Sequence, residues 1–155
     1  MLPEGTRLRL EHQLDCLAIL LQDISPERVQ QRPASGKWSA AENLSHLARY
    51  HEIFLERVRR ILAERAPVFP RYRAEDDAAW PGISVQTASD AISHVKQTRR
   101  ELISLLEDLP STAWARTGTH PVFGEMKLVV WLEFFLLHEA HHLLTVMQRV
   151  REPLS

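Results

Sequence analysis

The chain has 155 residues, 45% hydrophobic and 25% charged, and its 19 Lys and Arg nearly balance its 20 Asp and Glu for a formal charge of -1. That length and apolar content fit a single domain, residues 1–155, and exclude a disordered chain, which is poor in apolar residues and strongly charged. A single cysteine excludes an internal disulfide framework, a four-cysteine zinc site and a CxxC redox pair; the even charge leaves no footprint for nucleic acid; and eight histidines against five phenylalanines make histidine the residue in excess.

At the N-terminus, Glu4, Arg7, Arg9, Glu11 and Asp15 interrupt the apolar residues, so the continuous apolar core of a signal peptide, about 7–15 residues, is missing. The most apolar stretch, Leu128 to Leu137, contains Glu133 and falls short of the roughly 20 residues a membrane span needs. A soluble, cytoplasmic protein with no membrane contact is expected, and the lone Cys16 suits a reducing compartment.

Proline placement divides the chain into four proline-free windows, 4–25, 34–66, 82–109 and 122–152. Proline inside a helix costs about 3 kcal/mol, so these windows are where long helices can form. The first carries Leu10, Leu14, Leu17, Leu21 and Ile24 at helical spacing. The second opens with Ser39-Ala40-Ala41-Glu42, the pattern of a capping box, and continues through Leu44, Leu47, Phe54, Leu55, Val58 and Ile61. The third carries Ala91, Val95, Leu102, Leu106 and Leu109. The fourth is apolar nearly all round, which predicts a central helix or one with a face in a dimer interface.

Four long helices without alternating strands predict an all-α, antiparallel four-helix bundle with long interhelix connections at 25–37, 66–83 and 110–126. The last connection contains Thr117 to Gly124, read as a turn region with His120 before Pro121.

His138, His141 and His142 crowd the fourth window. The pair His138/His142 is spaced i, i+4, which places two imidazoles on one helical face within reach of one ion. His-Glu-Ala-His-His has that spacing but is not the HExxH zinc-protease motif. Burying polar rings without partners costs on the order of 1–3 kcal/mol each, a cost that a shared ion removes. A third ligand must come from elsewhere. His46 is the best candidate, although its position fits a half-exposed helix histidine equally well. His51 lies about 140° round the wheel from His46 and cannot face the same ion. His12, His51 and His94 have no partner at helical spacing and read as solvated or core residues. Cys16 reads as a small core residue, and Glu133 as a salt-bridge or interface residue.

Two stretches together resemble the DinB/YfiT-like superfamily. One is Trp38-Ser39-Ala40-Ala41-Glu42-Asn43-Leu44-Ser45-His46-Leu47; the other is Thr119-His120-Pro121-Val122-Phe123-Gly124, followed by Trp131 and His138-x-x-x-His142. The resemblance covers nearly the whole chain. It implies a four-helix bundle holding a divalent ion through three histidines, which match His46, His138 and His142, and so it selects His142 over His141. It also implies a homodimer. Some members are transferases or isomerases that use low-molecular-weight thiols, such as bacillithiol or mycothiol, with an electrophilic small molecule. Where members often carry glutamine three residues after the last ligand, this chain has Thr145.

Three neutral imidazoles would leave an ion at least one open position, as in catalytic rather than structural zinc sites. Such an ion lowers the pKa of bound water to about 7, which supports hydrolysis, or binds a thiol as its thiolate, which supports thiol transfer. Imidazole suits zinc, nickel, iron or copper, and the expected cofactor is a divalent ion of the zinc, nickel or iron kind. Binding should weaken below about pH 6.5, where free imidazoles protonate. No catalytic residue is assigned. Glu42 and Glu139 are nominal general bases, and Glu42 is already accounted for as a cap. The alternatives are a non-catalytic stress or interaction protein whose ion staples the bundle, and a plain helical dimerisation module without metal.

Overall fold

A computed structural model describes residues 1–152; Pro153, which closes the fourth window, lies outside the described residues. The helices are α1 (Glu4–His12), α2 (Cys16–Leu20), α3 (Pro26–Gln30), α4 (Ala40–Ala63), α5 (Trp80–Ile83), α6 (Ala88–Glu107) and α7 (Leu128–Arg151). Each long helix falls within its proline-free window. The first window is broken, however: a 3-10 turn, Gln13–Asp15, separates α1 from α2. At this break the Gln13 side-chain amide donates to the Leu136 carbonyl at 3.0 Å and to Glu139 Oε1 at 2.8 Å, tying the segment to α7.

The start of α4 is the capping box that the sequence predicts. Ser39 Oγ accepts from the Glu42 amide at 3.1 Å, and Glu42 Oε2 accepts from the Ser39 amide at 2.8 Å. Together these satisfy two backbone donors that a helix start otherwise leaves open. Arg32 holds the same carboxylate. This matters for function because it sets where α4 begins and hence the rotation of Asn43 and His46 one and two turns in.

Helix α4 is the hub and packs against both α6 and α7. The core has two parts. One gathers Phe54, Val58 and Ile61 with Leu102, Trp131, Leu132 and Phe135. The other gathers Leu14, Leu17, Leu44 and Leu47 with Ala91, Val95, Leu143 and Val146. The polar layer described below lies between them along α4 and α7. Helix α7 is central, as its composition predicts, but one stripe of it, Val130, Leu137, Leu144 and Met147, faces solvent.

The helical bundle expected from the sequence carries one addition, a short hairpin. Residues 110–126 contain most of a β-hairpin, β1 (Thr117–His120) paired antiparallel with β2 (Gly124–Lys127), in the register Thr117↔Lys127 through His120↔Gly124. Val68 adds a parallel bridge to Thr119, with Phe69 N–H donating to the Thr119 carbonyl at 3.1 Å. These four-residue strands are rich in Thr, Gly and His and lack the apolar alternation that marks a half-buried strand. They are held by backbone bonds and by closeness: the Trp131 indole N–H donates to the Gly118 carbonyl at 3.1 Å. A Cβ at Gly118 would stand 2.8 Å from Phe69 Cε2 and 2.9 Å from Ile61 Cγ1, so only glycine admits that approach. His120 ends β1 and accepts from the Val122 and Phe123 amides through Nδ1, at 3.1 and 3.2 Å, so it is the turn residue its position suggests.

Candidate metal centre

Helices α4 and α7 bring His46, His138 and His142 together: one ligand atom from each lies within 4.8 Å of the others. His46 Nε2 and His138 Nε2 are 3.4 Å apart. Two nitrogens about 2.0–2.1 Å from a tetrahedral zinc stand about 3.4 Å apart, so this pair already has the edge length of such a site. Among the described residues, no cysteine, aspartate or glutamate joins the three.

The protonation states fit a cation. Burial pushes the pKa of His46 down from 6.5 to about 4. Burial, reinforced by the neighbouring imidazoles, pushes His142 down to about 3 and His138 down to about 2. All three are therefore neutral near pH 7, the form in which imidazole binds metal. The Nδ1 atoms of His46 and His138 are buried without a partner. The Nε2 atoms of the same two rings face each other instead, and an ion between them would take both lone pairs. His142 is oriented differently: its Nδ1 faces Asn43 Oδ1 at 2.9 Å. The amide oxygen can only accept, so Nδ1 carries the proton and Nε2 is the lone-pair nitrogen. Asn43 is fixed in turn by donating to the Ser39 carbonyl at 2.7 Å.

His141, between the ligand candidates in sequence, is exposed, so the choice of His142 agrees with the geometry. His51 turns away from the centre: it is buried and bonds Glu139 at 2.7 Å. His94, half-buried, pairs with Glu52 at 2.9 Å, and the exposed His12 lies 3.1 Å from Asp15. Cys16 is half-buried and donates to the Gln13 carbonyl at 3.1 Å. Glu133 makes the salt bridge expected of it, with Arg9 at 2.6 Å. Thr145 spends its hydroxyl on the His141 carbonyl at 3.0 Å.

Neither nominal base is free. Glu42 is held by its cap and by Arg32. Glu139 is wholly buried and bonded by His51, Gln13 and Arg99. Burial raises its pKa, but the His51 bond and the Arg99 charge outweigh that and hold it below the usual carboxylate range. This network is absent from the sequence reading, and so is Asn43. Asn43 had a usable signal, since it lies one turn before His46 on the same face. Arg99 had none, because nothing local marks it as facing α7.

Aromatic rings surround the centre. Trp38, Tyr72, Tyr50 and Trp80 have ring centroids 5.2, 5.8, 6.1 and 6.2 Å from the His46 ring. Tyr50 also lies 4.0 Å from His138.

The comparisons with known proteins agree with this architecture. YuaE of Bacillus subtilis is 26% identical over 147 residues, covering 87% of this chain and 90% of the relative. A protein of Oceanobacillus iheyensis named as a candidate metal-dependent hydrolase is 26% identical over 123 residues, covering 78% of this chain and 70% of the relative. Among solved structures, YfiT of Bacillus subtilis, described as a probable metal-dependent hydrolase with an unusual four-helix bundle topology, superposes with a TM-score of 0.77 at 18% identity, covering 96% of this chain and 83% of that one. The family model of the DinB superfamily matches residues 9–146, and with most of its length so matched, the chain belongs to the DinB superfamily.

Proposed function

We propose that the protein is a metal-dependent enzyme that acts on a small molecule at a three-histidine centre with an open coordination position. One observation carries this reading: three neutral imidazoles converge, with no fourth side-chain ligand among the described residues. His46, His138 and His142 would hold the ion through their ring nitrogens, with Asn43 fixing the tautomer of His142. A divalent ion of the zinc, nickel or iron kind would supply a Lewis-acidic position able to acidify bound water or a bound thiol.

Hydrolysis is supported by the descriptions of the relatives. Transfer of a low-molecular-weight thiol to an electrophilic small molecule is favoured by a separate observation, that the two nominal bases, Glu42 and Glu139, are both engaged by other side chains. The lone free thiol of Cys16 supports a cytoplasmic setting. The solvent-facing stripe Val130, Leu137 and Leu144 repeats every seven residues along α7, a period that supports self-association into a homodimer. Leu137→Lys should then give a monomer in sedimentation.

The deciding experiment is elemental analysis of the purified protein, followed by turnover assays on the loaded form with activated esters and amides, and with thiol plus electrophile. Bound metal with ester or amide turnover establishes the hydrolase, and turnover only with thiol establishes the transferase. Bound metal with a large chelator-dependent loss of thermal stability and no turnover establishes the non-catalytic staple instead. Absence of metal, with none taken up on addition, overturns the proposal.

A further inference from the structure

The rings around His46 do not share a common structural role. Tyr50 is buried and lies along the α4–α7 seam, its hydroxyl accepting from Arg57 at 3.4 Å. Trp38, Tyr72 and Trp80 are only half-buried, and they come from three separate places in the chain: the residue before the α4 cap, the 64–79 connection and the start of α5. Trp80 lies against Trp38 with centroids 4.9 Å apart and presents its edge to His46 at an interplanar angle of 83°. Tyr72 stacks on His46 at 22°. Across the centre, the half-buried Phe134 lies 6.4 Å from His138.

The loop carrying Tyr72 and Trp80 is pinned in place. Asp77 accepts from Arg49 at 2.7 Å, from the Tyr72 hydroxyl at 3.4 Å and from the Ala79 amide at 3.0 Å. A segment that merely covered a histidine would not need two partly wet aromatic rings of its own beside Trp38. Large flat rings left half in water beside a ligand site serve contact with another flat surface. Beside these rings Arg49 and Asp77 neutralise one another, and the exposed Glu75 acts on His46 through its charge.

We propose that Trp38, Tyr72 and Trp80 form a specificity wall, so that the substrate places an uncharged aromatic or other flat apolar group against these rings while its reacting head lies at the three histidines. This inference rests on the metal-centre reading above. It adds the substrate class and names residues that determine specificity without touching the reacting atoms.

Two metal-chelating probes of different bulk test it on the zinc-loaded protein: acetohydroxamate and benzohydroxamate, with binding read by calorimetry and by tryptophan emission at concentrations that leave zinc content unchanged. Benzohydroxamate should bind about tenfold more tightly than acetohydroxamate, the effect of one or two aromatic contacts. Trp80→Ala should erase most of that preference while leaving acetohydroxamate binding and zinc content unchanged. Tyr72→Ala serves the same purpose should Trp80→Ala fail to fold. Equal affinity for the two probes, binding of neither to the loaded protein, or the same benzohydroxamate affinity without zinc would each overturn the specificity wall while leaving the metal centre standing. Failure of the wild-type chain to hold zinc would overturn the metal centre itself.

Discussion

The imidazole of His142 and the carboxamide of Asn43 meet across the α4–α7 seam, Nδ1 to Oδ1 at 2.9 Å. This contact settles which nitrogen of His142 is left to face the centre, and it couples that choice to the first turn of α4. Removing such an orienting partner typically costs about 10–100-fold in metal affinity. Asn43→Ala should therefore weaken zinc binding by that order in a chelator-competition titration, whereas Asn43→Asp, which keeps an acceptor, should retain most of it. Equal affinity in wild type and Asn43→Ala would show that the contact orients nothing.

Metal content should distinguish the histidines by position. His46→Ala and His138→Ala should each lose most bound metal, because either change leaves only two imidazoles at the centre. His12→Ala, at an exposed ring beside Asp15, should retain it. Elemental analysis of the three variants checks this, and equal metal in all of them would exclude the site.

Glu139 is the buried anion that neutralises Arg99, and both are almost fully withdrawn from water. Deleting one partner of such a pair strands the other charge, at a cost of about 3–5 kcal/mol. Glu139→Ala should lower the stability of the metal-free protein by that order in urea unfolding. Glu139→Gln keeps the hydrogen-bonding shape and should cost less. A change in Glu139→Ala no larger than that of a surface mutation would show that the network contributes little.

Acid should act on stability before it acts on metal binding. In the folded chain His46, His142 and His138 take up protons only near about 4, 3 and 2, whereas in the unfolded chain histidine does so near 6.5. Below about pH 6.5 the unfolded state thus binds more protons, so the contribution to stability is full above that pH and is lost as pH falls toward the folded values. The melting temperature of the metal-free protein should drop between about pH 7 and pH 5. Metal should stay bound through that range wherever the fold survives, rather than leaving near 6.5 as free imidazoles would suggest. Metal release near 6.5 from a still-folded protein would contradict these burial effects.

Gly118→Ala should destabilise the fold by roughly 1–3 kcal/mol, the usual cost of overpacking. Its new Cβ would meet ring and side-chain atoms of Phe69 and Ile61 at 2.8 and 2.9 Å. Thermal melting checks this, and an unchanged melting temperature would show that the 64–72 segment can yield.

Periodicity and proline spacing alone determined the three long helices α4, α6 and α7, because helix formation answers to local rules: Leu, Phe and Val at i, i+3 and i+4, prolines outside, and Ser39 with Glu42 at the start of α4. The same local geometry made His138 and His142 legible as a pair. The family resemblance named His46 as the third member, and the tertiary structure brings it, 92 residues from His138, to within 3.4 Å of that ring, which depends on how far α4 is rotated against α7. It also decided that His51, five residues on, serves Glu139 and not the centre. The hairpin at 117–127 was hidden because backbone pairing and the close approach at Gly118 hold it, with no side-chain pattern to mark it. The excess of histidine pointed to a cluster, and the packing of two helices selected which three of the eight rings could form it.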